Sequence, residues 1–243
     1  INGHYGLVTG EGKKKMCTLE KQGNVFILTL IGDDEHRLNP TLIDSIRAAL
    51  VRVAAEATSG SALITTAQGK FFSNGYDLDW ASLDSSSRSL LMDSKLKSLV
   101  LDLFNLRMPT IAAVTGHASA AGFILAMSHD YVVMRKDRGF MYMSEIDIGL
   151  RIPGWFVALV KNKVKSPKAW REVVMRGTKL TGEMAMSQGI VDSVHVGAAE
   201  TVKGAVKLGE ELVARKWDGD VYAHSRRLVF ADFLTHLDIV SRL

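Results

Sequence analysis

Apolar positions fall into two rhythms along this chain. Residues 25–31, Val-Phe-Ile-Leu-Thr-Leu-Ile, form a β-rich apolar run closed by Gly32-Asp33-Asp34, which predicts a strand and a turn. Residues 61–65, 110–115, 131–134 and 190–196 are further short runs of that kind. Between them the period changes. After Asn39-Pro40-Thr41, residues 42–56 place Leu42, Ile43, Ile46, Leu50 and Val53 at helical spacing. Residues 90–106 do the same with Leu90, Leu91, Leu96, Leu99, Val100 and Leu103, and Pro109 stops the segment. Helices are also predicted over residues 120–127, 168–176, 183–188 and 198–216, and the glycine-containing stretch 69–79 reads as a loop. Strands alternating with helices predict an α/β fold. No internal repeat, low-complexity tract or clear linker interrupts the pattern.

Composition narrows the functional classes. The chain has 243 residues, enough for a single domain with a sizeable core, or for a domain plus a helical appendage. Apolar residues make up 47% and charged residues 23%, so disorder is not indicated. The longest apolar run, residues 120–127, is far short of the roughly 20 residues a membrane helix needs. The single cysteine, Cys17, excludes an intrachain disulfide and fits a reducing compartment. The net charge of +4 falls to +2 without residues 1–15, because Lys13, Lys14 and Lys15 there outweigh Glu11. No basic stripe with interleaved aromatics argues for nucleic acid, whereas mild basicity suits a polyphosphate ligand. No metal-ligand constellation stands out among the seven histidines.

Three segments carry candidate chemistry. The first is Gly69-Lys70-Phe71-Phe72-Ser73-Asn74-Gly75-Tyr76-Asp77-Leu78, where Gly75 permits a tight turn and Asp77 can cap a following helix. Such a turn exposes backbone N–H groups able to hold an oxyanion, and is equally a plain strand-to-helix connection. The second is Gly116-His117-Ala118-Ser119-Ala120-Ala121-Gly122, in which every residue but His117 is glycine, alanine or serine. It follows a buried strand and opens an apolar helix, so its free N–H groups and helix dipole favour negative charge. Close strand–helix packing alone also explains small residues, and His117 reads as structural rather than as a base. The third runs from Met141 through Glu145 to Leu150, then Ile152-Pro153-Gly154-Trp155. Glu145 among Tyr142, Met143, Ile146 and Ile148 would have its pKa raised by desolvation, as a base working near neutral pH requires. An exposed loop glutamate is the plain alternative.

In order and spacing the three segments resemble the crotonase, or enoyl-CoA hydratase/isomerase, superfamily. Phe72 to Leu78 resembles its first oxyanion loop. Gly116 to Gly122, with Leu125-Ala126 and Asp130, resembles the second, and Met143-Ser144-Glu145 through Gly149 and Pro153 its catalytic-glutamate segment. The likeness spans about Leu19 to Val213. Within the family, His36-Arg37-Leu38-Asn39-Pro40, the second loop and Ser128-His129-Asp130-Tyr131 resemble plant peroxisomal Δ3,Δ2-enoyl-CoA isomerases. The implied fold is α/β, a ClpP-like spiral of ββα units with C-terminal helices: residues 16–197 as the spiral core and 198–243 as the helical region. The implied substrate is an acyl-CoA thioester, and the implied assembly a homotrimer or hexamer.

The resemblance also implies roles. Glu145 is the base, and the backbone N–H groups of Tyr76 and Ala121 form the oxyanion hole. Ser73, Asn74, Gly75, Asp77, Leu78, Ala120, Gly122 and Ile124 line the substrate. No metal or redox cofactor is implied, coenzyme A being part of the substrate. Two departures from the family pattern matter. Ile124 stands where hydratases carry a second glutamate, which favours a single-base isomerase over hydration. Ala120-Ala121 stands where many relatives carry glycines. A thioesterase, a weak hydratase and a non-catalytic acyl-CoA-binding protein remain the alternatives. Lys95 and Lys97 read as a solvated helix face or as phosphate contacts. Met16-Cys17-Thr18-Leu19-Glu20 looks like a natural start, so residues 1–15 are expected to be upstream or expression-derived. Ser241-Arg242-Leu243 resembles a peroxisomal address, which predicts a peroxisomal location.

Overall fold

The structure, a computed structural model, describes residues 4–5 and 16–238. The expectations for Ser241-Arg242-Leu243 and, apart from His4 and Tyr5, for residues 1–15 lie outside the described residues. In chain order the elements are β1 (His4–Tyr5), β2 (Cys17–Gln22), β3 (Val25–Leu30), α1 (Pro40–Glu56), β4 (Ala62–Ala67), β5 (Phe71–Ser73), α2 (Leu78–Ser82), α3 (Ser85–Asn105), β6 (Thr110–Val114), β7 (His117–Ser119), α4 (Ala121–Met127), β8 (Tyr131–Arg135), β9 (Met141–Tyr142), a 3-10 turn (Ile146–Ile148), α5 (Gly154–Lys163), α6 (Pro167–Trp170) running into a π turn (Arg171–Met175), α7 (Gly182–Ser187), β10 (Ser193–His195), α8 (Ala198–Val213), α9 (Gly219–Val229) and α10 (Ala231–Asp238).

The strands form two sheets. The larger has the order β1-β2-β3-β4-β6-β8-β10 and the smaller β5-β7-β9. β1, β2 and β3 pair antiparallel, while every pair from β3 to β10 and both pairs of the small sheet are parallel. Successive chain turns therefore lay one strand in the large sheet and the next in the small one: β4 then β5, β6 then β7, β8 then β9. This is the spiral of ββα turns.

Period-two alternation decides which side chains each face buries. On β3, Phe26, Leu28 and Leu30 join the main core with Leu42, Ile43 and Ile46 of α1 and Leu96, Leu99 and Val100 of α3. Val25 and Ile27 point the other way, with Ile64, Ile111 and Val133, and are covered by Ala205, Val206, Leu208, Leu212 and Val213 of α8. α1 begins where the sequence signals it: the Asn39 side chain accepts from the Leu42 N–H at 3.0 Å, and Pro40 occupies the first helical position.

The chain departs from expectation in several places. α3 starts at Ser85, five residues before its apolar rhythm begins at Leu90, because its first turn is polar. The strand expected over residues 190–196 is only Ser193–His195. Ile190 and Val191 instead turn their N–H groups back onto the Ala185 carbonyl to close α7. Among the described residues, no helix is long and apolar enough to cross a membrane.

Candidate active site

The small sheet assembles the site. β5, β7 and β9 run parallel, so their C-terminal residues, Ser73, Ser119 and Tyr142, lie along one edge. The chain leaving that edge carries Tyr76 after β5, Ala121 after β7 and Glu145 after β9. The topology thus brings together the three chemistry-bearing segments of the sequence.

The first loop is fixed by its backbone. Leu38 and Tyr76 form a parallel bridge in which the Leu38 N–H donates to the Gly75 carbonyl (2.7 Å) and the Asp77 N–H to the Leu38 carbonyl (3.2 Å). That pattern uses the groups flanking Tyr76 and turns its own N–H to the opposite side. Gly75 has φ +81°, and a methyl there would meet the Ser119 carbonyl oxygen, the Ala120 methyl and the Ala121 nitrogen at 3.0–3.3 Å. Glycine is required both for this backbone and for this approach to the second loop.

The second loop supplies the other N–H. Ala120 caps α4 with φ +51° and ψ −122°, held by its N–H to the Tyr142 carbonyl (2.9 Å) and by the Ile124 N–H to its own carbonyl (3.2 Å). Ala121 is the first residue of α4, so its N–H has no partner within the helix. Among the described residues neither the Tyr76 N–H nor the Ala121 N–H donates to a protein acceptor. Gly122 packs so tightly that a methyl on it would lie 2.2 Å from the Ser73 carbonyl oxygen.

Glu145 heads the 3-10 turn and is only 6% exposed. Its carbonyl accepts from Ile148 (3.3 Å) and Leu150 (2.9 Å), which fixes the loop, while its side-chain Oε2 has no hydrogen-bond partner. Burial raises its pKa above the ordinary glutamate value, with an opposing backbone hydrogen bond too weak to cancel the effect. The exposed-loop alternative is therefore excluded for this side chain. The Ser119 and Ser144 hydroxyls, 3.2 Å apart, tie the second loop to the residue before Glu145.

The other predicted positions have varied environments. Ser73 is fully buried; its hydroxyl donates to the His36 carbonyl (2.8 Å) and accepts from the Gly75 N–H (3.3 Å), so it braces the first loop. Asp77 caps α2 through the Trp80 N–H (3.0 Å) and accepts from Asn39 Nδ2 (2.9 Å). The Asn74 N–H donates to the Glu35 carbonyl (2.8 Å), Leu78 is exposed, and Ile124 is fully buried within α4. His117 lies at the start of β7, not at the site edge. Its ring sits beside Phe71 and Phe140, and burial followed by Lys70, Arg138 and Lys179 lowers its pKa. Lys95 and Lys97 are both paired, with Asp44 (2.7 Å) and Asp93 (2.8 Å) respectively. Lys97 is buried, which overturns the solvated-face reading for it.

Asp93 is a residue that the sequence reading missed. Its Oδ1 accepts from Tyr76 Oη (3.1 Å) and Trp155 Nε1 (2.8 Å), and its Oδ2 pairs with Lys97. The available signal was an Asp93/Lys97 pair, four residues apart, flanked by the buried apolar positions Met92 and Leu96 of α3. Burial, then the negative charge of Asp93, then that of Glu145, hold the Tyr76 phenol far above its ordinary pKa. The Tyr76 ring therefore lies within electrostatic reach of both carboxylates.

Comparison with known proteins agrees with this architecture. The family profile described as enoyl-CoA hydratase/isomerase matches residues 20–222. The protein named enoyl-CoA delta isomerase 1, peroxisomal, of Arabidopsis thaliana is 56% identical over 222 residues, covering 91% of this chain and 92% of its own. Enoyl-CoA delta isomerase 2, peroxisomal, of the same plant is 50% identical over 234 residues, covering 94% and 98%. Among solved structures, the probable enoyl-CoA hydratase EchA3 of Mycobacterium tuberculosis H37Rv superposes with a TM-score of 0.84 over 92% of each chain, at 21% identity, a likeness of fold. The chain belongs to the enoyl-CoA hydratase/isomerase, or crotonase, family.

Proposed function

We propose that this protein is a Δ3,Δ2-enoyl-CoA isomerase that moves the double bond of a 3-enoyl-CoA to give the trans-2-enoyl-CoA, with Glu145 as its single base. The observation that carries the mechanism is the buried Glu145 carboxylate, with an unpartnered oxygen, following the same strand edge as two uncommitted backbone N–H groups. The named relatives at 56% and 50% identity support the reaction.

The chemistry follows from acidity. A thioester C2–H is a weak acid, so removing its proton requires that the resulting charge be held. The N–H groups of Tyr76 and Ala121 donate to the thioester oxygen as it becomes an enolate oxygen, each contributing about 3–4 kcal/mol in the transition state. Glu145 takes the C2 proton, and its raised pKa strengthens it as a base. The dienolate spreads its charge to C4, and the Glu145 carboxylic acid returns the proton there. One proton leaves and one returns, so the reaction balances without water, metal or redox group. Ile124, fully buried and without a titratable group, cannot activate a water as a second glutamate would.

Incubation with 3-hexenoyl-CoA tests the reading. The expected product is trans-2-hexenoyl-CoA; free CoA, or 3-hydroxyhexanoyl-CoA alone, overturns it in favour of a thioesterase or a hydratase. Binding without turnover would make the protein an acyl-CoA-binding module. The place of action in this proposal is peroxisomal fatty-acid β-oxidation, supported by the names of two plant relatives. The proposed assembly is a homotrimer or a pair of trimers. Val221, Leu228 and Val229, more than 60% exposed on α9, offer an apolar surface for it, and light scattering after size-exclusion chromatography measures the mass.

A further inference from the structure

The Asp93 carboxylate joins two parts of the molecule that the proposed reaction must hold in register. Through Oδ1 it accepts from Tyr76 Oη at 3.1 Å, and Tyr76 carries one of the two oxyanion N–H groups. Through the same oxygen it accepts from Trp155 Nε1 at 2.8 Å, in the first turn of α5. Trp155 anchors the far end of the loop that begins at Glu145. Between those two buried ends residues 146–151 are exposed and are held chiefly by their own backbone, through the Ile148 and Leu150 N–H groups donating to the Glu145 carbonyl; Gly149 has φ +68°, and a methyl on Gly149 or Gly154 would touch nothing. Core packing therefore does not set the path of this loop. Its position is set at Glu145 itself and at the Trp155-Phe156 step, where the Phe156 ring lies 4.5 Å from Trp155 and 6.1 Å from Tyr76. Lys97, four residues along α3, holds Oδ2 at 2.8 Å and so fixes the carboxylate plane.

We propose that Asp93 is a positioning residue for the proton transfer: it sets the spacing between the oxyanion donor at Tyr76 and the base at Glu145 by accepting from Tyr76 and Trp155 at once. It touches no reacting atom. This rests on the roles given above to Tyr76 and Glu145. A misplacement of about 1 Å between such groups costs up to about 100-fold in rate while leaving the rest of the binding surface in place. Loss of Asp93 should therefore lower kcat and leave KM nearly unchanged.

The variants separate positioning from simple support. Asp93→Ala removes the shared acceptor. Asp93→Asn with Lys97→Met keeps an oxygen for both ring donors while removing the charge pair. Asp93→Ala is expected to lower kcat on 3-hexenoyl-CoA about 10–100-fold with KM within about threefold, and Asp93→Asn/Lys97→Met to recover activity to within about threefold of the wild type. The second readout is the enolate absorbance of bound acetoacetyl-CoA, taken well below every variant's Tm. Asp93→Ala should bind this thioester with near wild-type affinity and enolise it about 10–100-fold less. A lowered Tm with kcat and enolate fraction both within threefold of the wild type would overturn the proposal. So would an Asp93→Asn/Lys97→Met variant that folds but stays as impaired as Asp93→Ala. Should Asp93→Ala not fold, Tyr76→Phe deletes one donor and keeps its ring, and Trp155→Phe deletes the other and leaves a smaller aromatic ring; unchanged kcat and enolate fraction in both overturn it. A wild-type protein that enolises acetoacetyl-CoA but does not isomerise 3-hexenoyl-CoA sinks the isomerase reading alone. One that does neither sinks both.

Discussion

Ala120 is the most exacting test of how the site is built. It holds φ +51° and ψ −122°, a region that glycine enters freely and an alanine enters at a cost of order 1–3 kcal/mol. Three contacts impose that backbone: the Ala120 N–H to Tyr142, the Ile124 N–H to Ala120, and the close approach of Gly75. Ala120→Gly removes the strain but adds about 0.4–1 kcal/mol of unfolded-chain freedom. The net expectation is a stabilisation of about 0.5–2 kcal/mol, which in a chain of this size raises Tm by about 1–8 °C. The Ala121 N–H stays in place, so kcat on 3-hexenoyl-CoA should be equal or higher. Two residues along, Gly122→Ala should do the reverse. Its methyl would sit 2.2 Å from the Ser73 carbonyl, a backbone overlap that only movement of α4 relieves. A loss of about 3 kcal/mol or more is expected, with kcat falling as the Ala121 N–H shifts. Thermal unfolding followed by circular dichroism, beside initial rates, measures both variants. A lower Tm for Ala120→Gly would refute the reasoning, because the turn would then not be strained.

Other consequences follow from the buried charges. Glu145→Gln should lower kcat at least about 100-fold without lowering stability. Because the folded pKa of Glu145 is raised, wild-type stability is favoured below its unfolded value of 4.5 and lost as pH rises through the folded value. The Gln variant should therefore gain on the wild type in urea denaturation at pH 7 and lose that advantage below about pH 4. On the acid side, wild-type kcat should climb with pH along a single ionisation lying above 4.5, and a rate independent of pH there would remove Glu145 as the base. His129 is buried between Thr65 Oγ1 (2.8 Å) and the Leu125 carbonyl (3.0 Å), and burial lowers its pKa to about 4. Its neutral form is the stable one, so stability should fall by up to about 3 kcal/mol as pH drops from 6.5 towards 4. His129→Gln should flatten that slope in urea midpoints. Arg226 donates to Asp130 and to the Leu106 (2.6 Å) and Met108 (2.5 Å) carbonyls at the end of α3. Arg226→Met should cost about 3–5 kcal/mol in urea denaturation by stranding the buried Asp130 carboxylate, and Asp130→Asn in the same chain should restore part of it.

What the sequence discloses here depends on length of pattern. α1 was legible to within two residues because six buried apolar side chains repeat along it and Asn39-Pro40 marks its start. β3, β4, β6 and β8 of the large sheet were legible for the same reason, as apolar runs of five or six residues, whereas β2, with the mixed sequence Cys-Thr-Leu-Glu-Lys-Gln, was not. The strands that build the site were not. β5 and β7 have three residues each and β9 two, too few for any alternation to register, so they read only as glycine-rich or mixed loops. Yet these strands are what bring Tyr76, Ala121 and Glu145 to one edge. Composition could say that residues 116–122 present bare backbone; only the likeness to a family could say that residues 69–78 and 141–150 lie beside them. Asp93 escaped for a further reason. It sits on a helix at an ordinary surface-type spacing from Lys97, and nothing in the order of residues reveals that Trp155, 62 positions away, donates to it. The candidate catalytic groups are carried by local backbone geometry, which small residues advertise. The group proposed to hold them at the right separation is carried by a tertiary contact, which the sequence does not advertise at all.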